Sequence, residues 1–324
     1  MSKSKPMMKT TPFISVIVPV YNEEETIRLF HKRLLETMKK NRYKFEILYI
    51  NDGSIDKSEE ILTSFEKDDP DLVYVLSFDQ NYGQHLAIMA GFDHMHGDVA
   101  INLDADLQNP PEEIPKLVDK YLEGHDMVGS YRIGRKDHKW RDYGSRFANF
   151  VRKHITTLDM KDQGCMFRAY SKDLAKKICQ GNEHALFVPA FGWKYAQNPT
   201  EIGLIHDPRS SGESKYKIYD LIRVSIDLAT SMSLAPIQIV TAIGLLTSFF
   251  SFVIFIYMIG RRLILGPEVE GVFTLFALVI FIIGIGIFGI GVIGEYVGRI
   301  YQIVQGRPRY TLKKNNQPRI KLSQ

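Results

Sequence analysis

Apolar runs alternate with amphipathic helical patterns along the first part of the chain. Runs typical of buried strands cover residues 14–20, 45–50, 72–77, 99–103 and 127–131. Between them, apolar side chains recur at helical spacing, first at Ile27, Phe30, Leu34, Leu35 and Met38 and then over residues 58–65, 84–95 and 112–122. Strands that alternate with helices predict an α/β fold with a doubly wound, mostly parallel sheet.

The periodic pattern continues beyond this region. Residues 140–158 predict a helix, and residues 167–170 predict a short strand. Residues 217–233 carry polar side chains on one stripe and apolar ones opposite, which predicts an amphipathic helix. Such a helix either lies in a membrane interface or packs on the preceding domain, and the apolar stretch that follows it favours the interface.

Two uncharged stretches stand near the end of the chain, over residues 228–260 and 271–294. A helix needs roughly 20 apolar residues to cross a bilayer, and both stretches are long enough. We therefore expect two transmembrane helices, at 235–260 and 271–294, joined by a short loop at 261–270. Two buried helices of a large soluble core are the alternative, disfavoured because the two stretches are adjacent. The predicted division is a cytosolic domain at 1–215, an interfacial helix at 216–234, the two spans with their loop, and a basic tail at 295–324.

The charge distribution bears on topology. The 324 residues carry a net charge of only +4. Positive side chains gather in the tail, at Arg299, Arg307, Arg309, Lys313, Lys314, Arg319 and Lys321. Short basic flanks stay cytoplasmic, and residues 1–11 have no long apolar core that would indicate a signal peptide. We expect the catalytic domain and both termini in the cytoplasm and the loop at 261–270 on the opposite side of the membrane. A basic tail can also bind nucleic acid, but beside a membrane span this is the less favoured interpretation.

A pair of carboxylates follows the apolar run at 99–103. Asp104 and Asp106 stand two residues apart in the run 103–108 (LDADLQ), with Gln108 next. Ligands of doubly wound sheets bind at the carboxyl ends of strands, and Mg²⁺ or Mn²⁺ binds carboxylates together with phosphate oxygens. The pattern predicts a metal–diphosphate site, and an ordinary polar turn is the alternative.

Other polar residues follow the remaining strands. Asn22 is expected to cap the first helix, with three glutamates in its first turn. Asp52, in the run 51–54 (NDGS), can accept a hydrogen bond from a uracil ring or form an Asx turn. Arg132 can reach a phosphate or stay on the surface. The run 209–216 (RSSGESKY) suits a phosphate near the membrane surface or a flexible linker equally well.

Several of these runs, taken together, resemble the motifs of a known family. They are residues 18–23 (VPVYNE), 51–54 (NDGS), 104–112 (DADLQNPPE), 167–170 (FRAY) and 212–216 (GESKY). In combination they resemble the family 2 glycosyltransferases that act on polyprenyl phosphates, among them dolichyl-phosphate mannose synthase. Residues 81–92 and 162–166 resemble the bacterial subgroup that transfers 4-deoxy-4-formamido-L-arabinose to undecaprenyl phosphate. The match covers nearly the whole chain and is more specific for the family than for the sugar.

The resemblance implies an inverting enzyme with a GT-A, Rossmann-like domain, a UDP-sugar donor, an undecaprenyl phosphate acceptor and an Mg²⁺ or Mn²⁺ cofactor at the bacterial cytoplasmic membrane. It assigns Asp104, Asp106 and Gln108 to the metal and diphosphate. Pro19, Tyr21, Glu23, Asp52 and Arg132 are assigned to the nucleotide donor. Arg168, Arg209, Ser214 and Lys215 are assigned to the acceptor phosphate. Asp162 is expected near the reacting centre, as a base or as a residue that orients the acceptor.

Other interpretations remain open at this point. The sugar can be another one, of the glucose, galactosamine or mannose type. A processive polysaccharide synthase of the same fold would need more membrane spans than two. A membrane-tethered binding protein without activity would not need the two carboxylates. The sequence leaves the oligomeric state open, including a homo-oligomer.

Overall fold

The chain divides into two units, and each is described by itself. In the computed structural model, the described residues are 11–132, 160–162, 164–181, 187–204, 235–265, 272–305 and 308–313. The first unit contains the described residues up to 204 and residues 308–313, whereas the second contains two long C-terminal helices. The predicted helix at 140–158, the cluster at 209–216 and the amphipathic helix at 217–233 lie outside the described residues.

Seven strands form the sheet of the first unit. They are β1 (Phe13–Val20), β2 (Lys44–Asn51), β3 (Val73–Ser77), β4 (Val99–Asn102), β5 (Met127–Arg132), β6 (Arg168–Ser171) and β7 (Pro199–Leu204). Their order is β3-β2-β1-β4-β6-β5-β7, and β6 runs antiparallel to β4 and β5 while the other pairs are parallel. The predicted mostly parallel α/β sheet is confirmed. The pattern did not predict β7, an edge strand whose residues are nearly all half-buried.

Helices between the strands bury their apolar faces against this sheet. They are α1 (Ile27–Lys40), α2 (Ser58–Asp68), α3 (Gln84–His94), α4 (Ile114–Leu122), α5 (Lys172–Gln180) and α6 (Val188–Tyr195), with a 3₁₀ turn at Pro111–Glu113. In α1, the stripe Ile27, Phe30, Leu34 and Met38 is fully buried, as its spacing predicts. Each such side chain contributes about 1.5–3 kcal/mol by leaving water. This packing fixes the central strands, whose carboxyl ends carry the site.

The predicted role of Asn22 as a helix cap is wrong. Helix α1 begins at Ile27, and Thr26 is the residue that precedes it. Asn22 has a φ of 56°, a left-handed conformation, and its Oδ1 accepts a hydrogen bond from the backbone N–H of Ile55. The side chain is thus used to tie the turn after β1 to the turn after β2, because both turns lie at the same edge of the sheet.

The second unit contains α7 (Ala235–Leu265) and α8 (Val272–Val304). Within α8, the window Phe281–Gly298 is long and apolar enough to cross a membrane, and none of it is buried. In α7, the apolar part Val240–Ile254 is shorter than a span requires. Among the described residues, one helix therefore meets the length and composition of a membrane span, where the sequence predicts two.

Candidate active site at the carboxyl ends of the strands

The two predicted metal-binding carboxylates follow the central strand β4 directly. Strand β4 ends at Asn102, and Leu103 is buried before the chain turns. The turn is tight, since Leu107 has a φ of 62° and the Gln108 N–H donates to Oδ1 of Asp106 over 3.0 Å. Asp104 and Asp106 are thereby held, half-exposed, at the edge of the sheet where ligands of such folds bind.

The electrostatics around Asp104 are those of a crowded anionic site. Burial, followed by the charges of Asp106 and Glu23, raises the pKa of Asp104, which lies at about 7. Arg132 and a hydrogen bond from Nε2 of Gln84 to Oδ1 act in the opposite direction. A bound cation would stabilise the ionised form of a carboxyl that is surrounded by like charge.

The Asp52 carboxylate holds the loop that follows β3. Its Oδ1 accepts from the Tyr82 N–H over 2.7 Å, and its Oδ2 accepts from the Gly83 N–H over 2.9 Å. The side chain of Asn81 donates to the Asp52 carbonyl over 3.2 Å. Burial raises the pKa of Asp52, and the two N–H donors counteract that rise. In the described structure, Asp52 therefore shapes the loop around the predicted nucleotide position.

Gly53 follows with a φ of 67°, and its position requires glycine. A Cβ there would stand 2.4 Å from the Gln80 carbonyl carbon and 2.6 Å from the Asn81 nitrogen. The absence of a side chain lets the turn after β2 pack directly on the backbone of the next loop. The packing of these two backbone segments is therefore sufficient to require glycine in the run 51–54 (NDGS), whether or not a ligand binds there.

The turns after β1 and β2 are bound to each other. The Asn22 N–H donates to Oγ of Ser54 over 3.1 Å, and the Glu23 N–H donates to Oγ of Ser58 over 2.9 Å. Tyr21 is 46% exposed at the end of β1, whereas Pro19 is half-buried within that strand. Tyr21 is therefore available to a ligand at this edge, and Glu23 is near enough for its charge to act on Asp104.

Asp162 lies in the loop that precedes β6 and pairs with Arg132. Its Oδ2 is 3.6 Å from Nε of Arg132, the last residue of β5, and its Oδ1 accepts from the Gly164 N–H. The Arg132 and Asp162 side chains are 30% and 18% exposed. Arg132 therefore pairs with Asp162 while its charge also acts on Asp104, as the sequence could not indicate.

Arg168 is fully buried at the start of β6. Its Nε donates to the Cys165 carbonyl over 2.7 Å, and its Nη2 donates to the Asp162 carbonyl. A Cβ on Gly129 would stand 2.8 Å from Nη1, so this glycine leaves room for the guanidinium. With an exposure of 0%, Arg168 presents no surface to a phosphate and instead holds the loop that carries Asp162.

Gln84 is a site residue that sequence reasoning did not select. It opens α3 after Gly83, whose φ is 95°, and its side chain donates to Asp104. Only the resemblance of residues 81–92 to one subgroup pointed to this segment. Three predicted residues, Arg209, Ser214 and Lys215, lie outside the described residues.

The chain is similar to known glycosyltransferases along nearly its whole length. Residues 15–179 match the description "Glycosyl transferase family 2". The chain is 40% identical over 316 residues to the undecaprenyl-phosphate 4-deoxy-4-formamido-L-arabinose transferase of Serratia proteamaculans, covering 97% of this chain and 96% of that protein. It is 41% identical over 315 residues to the protein of that name from Edwardsiella ictaluri, covering 96% and 97%.

Solved structures resemble part of the chain at lower sequence identity. The glucosyl-3-phosphoglycerate synthase of Mycobacterium tuberculosis, in complex with Mn²⁺, UDP and phosphoglyceric acid, is 18% identical with a TM-score of 0.47 and covers 68% of this chain and 77% of that chain. The mannosyl-3-phosphoglycerate synthase of Rubrobacter xylanophilus is 13% identical with a TM-score of 0.49, covering 68% and 72%.

Proposed function

This chain belongs to glycosyl transferase family 2, as its motifs predicted, and within that family we propose that it transfers a sugar from a UDP-sugar to undecaprenyl phosphate. The relatives' name supports 4-deoxy-4-formamido-L-arabinose as the sugar. The observation that carries the proposal is the pair Asp104 and Asp106 at the end of β4, in a chain that matches these transferases along 97% of its length.

The donor set at β4 fits a divalent cation. Asp104 and Asp106 supply hard oxygen ligands, and the charge of Asp106 is, after burial, the second cause that raises the pKa of Asp104. Among the described residues, no group of three His, Cys, Asp or Glu side chains could hold a metal alone. We infer that Mg²⁺ or Mn²⁺ binds Asp104, Asp106 and the oxygens of the donor diphosphate, with Gln108 close by. The ion would neutralise the charge that grows on the leaving UDP.

The nucleotide is proposed to bind at the neighbouring turns. Tyr21 is exposed there, and Asp52 is buried beneath the loop that follows β3. Pro19 lies near the end of β1 and Glu23 in the turn region that follows, and Arg132 is close enough for its charge to act on Asp104. These residues form one continuous edge of the sheet, which suits an extended ligand such as a nucleotide diphosphate.

The acceptor itself supplies the nucleophile. A phosphate monoester is largely ionised at neutral pH because its second pKa is about 6, so a strong general base is not required. Its oxygen attacks the anomeric carbon, the bond from that carbon to UDP breaks on the opposite face, and the configuration inverts. Asp162, held by Arg132 and by the Gly164 N–H, is proposed to orient the acceptor.

Two anions must approach each other in this reaction, and basic side chains lower that barrier. We propose that Arg209, Ser214 and Lys215 contact the acceptor phosphate near the membrane surface. Arg168 was assigned to this phosphate by resemblance, but its complete burial supports a different role, that of a positioning residue for the Asp162 loop. The revised role rests on the hydrogen bonds that the Arg168 guanidinium donates to the carbonyls of Cys165 and Asp162.

We propose a location in the bacterial cytoplasmic membrane. The apolar window in α8 supports one span, and the proposal adds α7 as a second, with large exposed apolar side chains such as Phe249 and Phe252. The segment 216–234 is proposed as the interfacial helix. With two spans, the catalytic domain and both termini face the cytoplasm, where a UDP-sugar is made available.

A donor screen tests this function. Purified full-length protein is incubated with undecaprenyl phosphate, Mn²⁺ and one of several donors: UDP-4-deoxy-4-formamido-L-arabinose, UDP-glucose, UDP-galactosamine or GDP-mannose. Mass spectrometry should show the lipid gaining one 4-deoxy-4-formamido-L-arabinose residue. A single addition of another sugar would show that the donor sugar is a different one. A ladder of additions would indicate a polymer synthase. The absence of product with every donor would contradict the proposed transferase activity.

A further inference from the structure

A short segment after α8 returns to the catalytic unit. We call residues 309–313 the strap. Leu312 forms an antiparallel bridge with Phe78, the Lys313 N–H donates to the Ser77 carbonyl over 2.9 Å, and the Asp79 N–H donates to the Thr311 carbonyl over 3.2 Å. Because β3 is an edge strand, the strap extends the sheet just where β3 ends.

Side chains of the strap contact the loop that follows β3 by ring stacking and hydrogen bonds. The ring of Tyr310 stacks on Phe78 with centroids 4.9 Å apart. Oγ1 of Thr311 donates to Oδ2 of Asp79 over 2.6 Å and lies 2.6 Å from the Tyr82 hydroxyl. A single threonine hydroxyl thus joins both ends of residues 79–82.

This loop, residues 79–83, lies beside the proposed donor site. The Tyr82 and Gly83 N–H groups bind the Asp52 carboxylate, and Gln84, the next residue, donates to Asp104. On its other side the loop backbone packs on Gly53. Any movement of residues 79–83 therefore shifts groups that contact both the proposed nucleotide residue and the proposed metal ligand.

We propose that the strap is a positioning element of the donor site, with Thr311 as the residue that fixes the loop. This inference rests on the proposed function, since it assigns the strap to that same site. An alternative use of such a segment is to protect the edge of β3 from pairing with other chains. Edge protection would change stability and solubility, whereas a positioning role changes donor affinity in a folded enzyme.

The strap follows α8 closely along the chain. The strap begins five residues after Val304, the last residue of α8. The loop around the proposed donor site is therefore held by a segment that immediately follows the candidate membrane helix.

The test compares three threonine variants in the full-length protein. Thr311→Val keeps the side-chain shape and removes the hydroxyl, whereas Thr311→Ser keeps the hydroxyl. Thr63→Val is the matched control, because the Thr63 hydroxyl donates to the Glu59 carbonyl within α2. We expect Thr311→Val to raise the donor KM and the UDP dissociation constant by about three- to tenfold. The acceptor KM should stay unchanged, and Thr311→Ser should restore the wild-type donor values.

The outcomes separate the strap from the function on which it rests. If wild-type protein binds no UDP in calorimetry with Mn²⁺, the proposed function fails and the strap proposal fails with it. If wild-type protein binds UDP and Thr311→Val binds it equally well, only the strap proposal is overturned. A fall in melting temperature with unchanged donor KM would likewise assign the strap to edge protection.

Discussion

The Nε atom of Arg132 lies 3.6 Å from Oδ2 of Asp162. Arg132 ends β5, and Asp162 belongs to the loop that precedes β6. Burial raises the pKa of Asp104, and the same arginine opposes that rise from the edge of the sheet. One cation therefore links the proposed metal ligands to the carboxylate proposed to orient the acceptor.

Replacement of Arg132 by glutamine should lower turnover by about ten- to a hundredfold, because a charge-assisted contact is worth about 1.5–3 kcal/mol. The measurement is kcat with both substrates saturating. Arg33→Gln is the matched control, since Arg33 pairs with Glu112 over 2.8 Å on the surface. Equal effects of the two substitutions would show that Arg132 has only a structural role.

The alanine variant of Asp106 tests the metal site directly. Asp106→Ala should lower transfer by about a thousandfold or more while the protein stays folded, because the diphosphate loses a metal ligand. Calorimetry should show that UDP no longer binds more tightly when Mn²⁺ is added. Glu60→Ala, at an exposed position of α2, serves as the control. Turnover near wild type in Asp106→Ala, at any Mn²⁺ concentration, would refute the assignment.

The strand ends were predictable from sequence, and the contacts between them were not. Each apolar run ending in Asn, Asp or Gly indicated a ligand-binding edge, because sheet geometry alone brings such ends together. The sequence gives no local signal for the burial of Arg168, the bond from Gln84 to Asp104 or the docking of Thr311. Gln84 and Asp104 are 20 residues apart, Thr311 and the loop it binds are more than 200 apart, and the space for Arg168 is left by Gly129 on another strand. Strand β7 was missed because it alternates weakly at the edge of the sheet.

The pKa of Asp104 predicts a pH-dependent stability of the metal-free protein. Burial, followed by the charge of Asp106, raises this pKa to about 7 in the folded state, against 3.8 for an unperturbed aspartate. Between these values the unfolded chain has released its proton while the folded protein still holds it. The free energy of unfolding therefore falls as the pH rises, and the loss is complete above about pH 7.

The comparison with Asp104→Asn isolates this effect, since asparagine mimics the protonated carboxyl. The melting temperature of metal-free wild type, relative to the variant, should fall between about pH 4 and pH 7. Added Mn²⁺ at the higher pH should raise the melting temperature of the wild type and not that of the variant. Parallel curves for the two proteins would show that Asp104 is ionised throughout.

Arg168→Lys tests whether the buried arginine positions the Asp162 loop. Lysine cannot donate to the carbonyls of both Cys165 and Asp162 in the same way, so the free energy of unfolding should fall by about 1–3 kcal/mol. Because the loop moves, kcat should fall while the donor KM stays near wild type. A large rise in the KM for undecaprenyl phosphate with unchanged stability would instead return Arg168 to the acceptor phosphate.

The last prediction concerns Lys215, which lies outside the described residues. The cluster with Arg209 and Ser214 precedes the proposed interfacial helix, so it should bind the lipid phosphate rather than uridine. Lys215→Ala should raise the KM for undecaprenyl phosphate about ten- to a hundredfold, and much more than the donor KM. Lys120→Ala, which removes a surface ion pair with Glu123, is the control. Titration of UDP in the absence of lipid decides between the two substrates. A large loss of UDP affinity in Lys215→Ala would mean that this loop closes over the donor diphosphate instead.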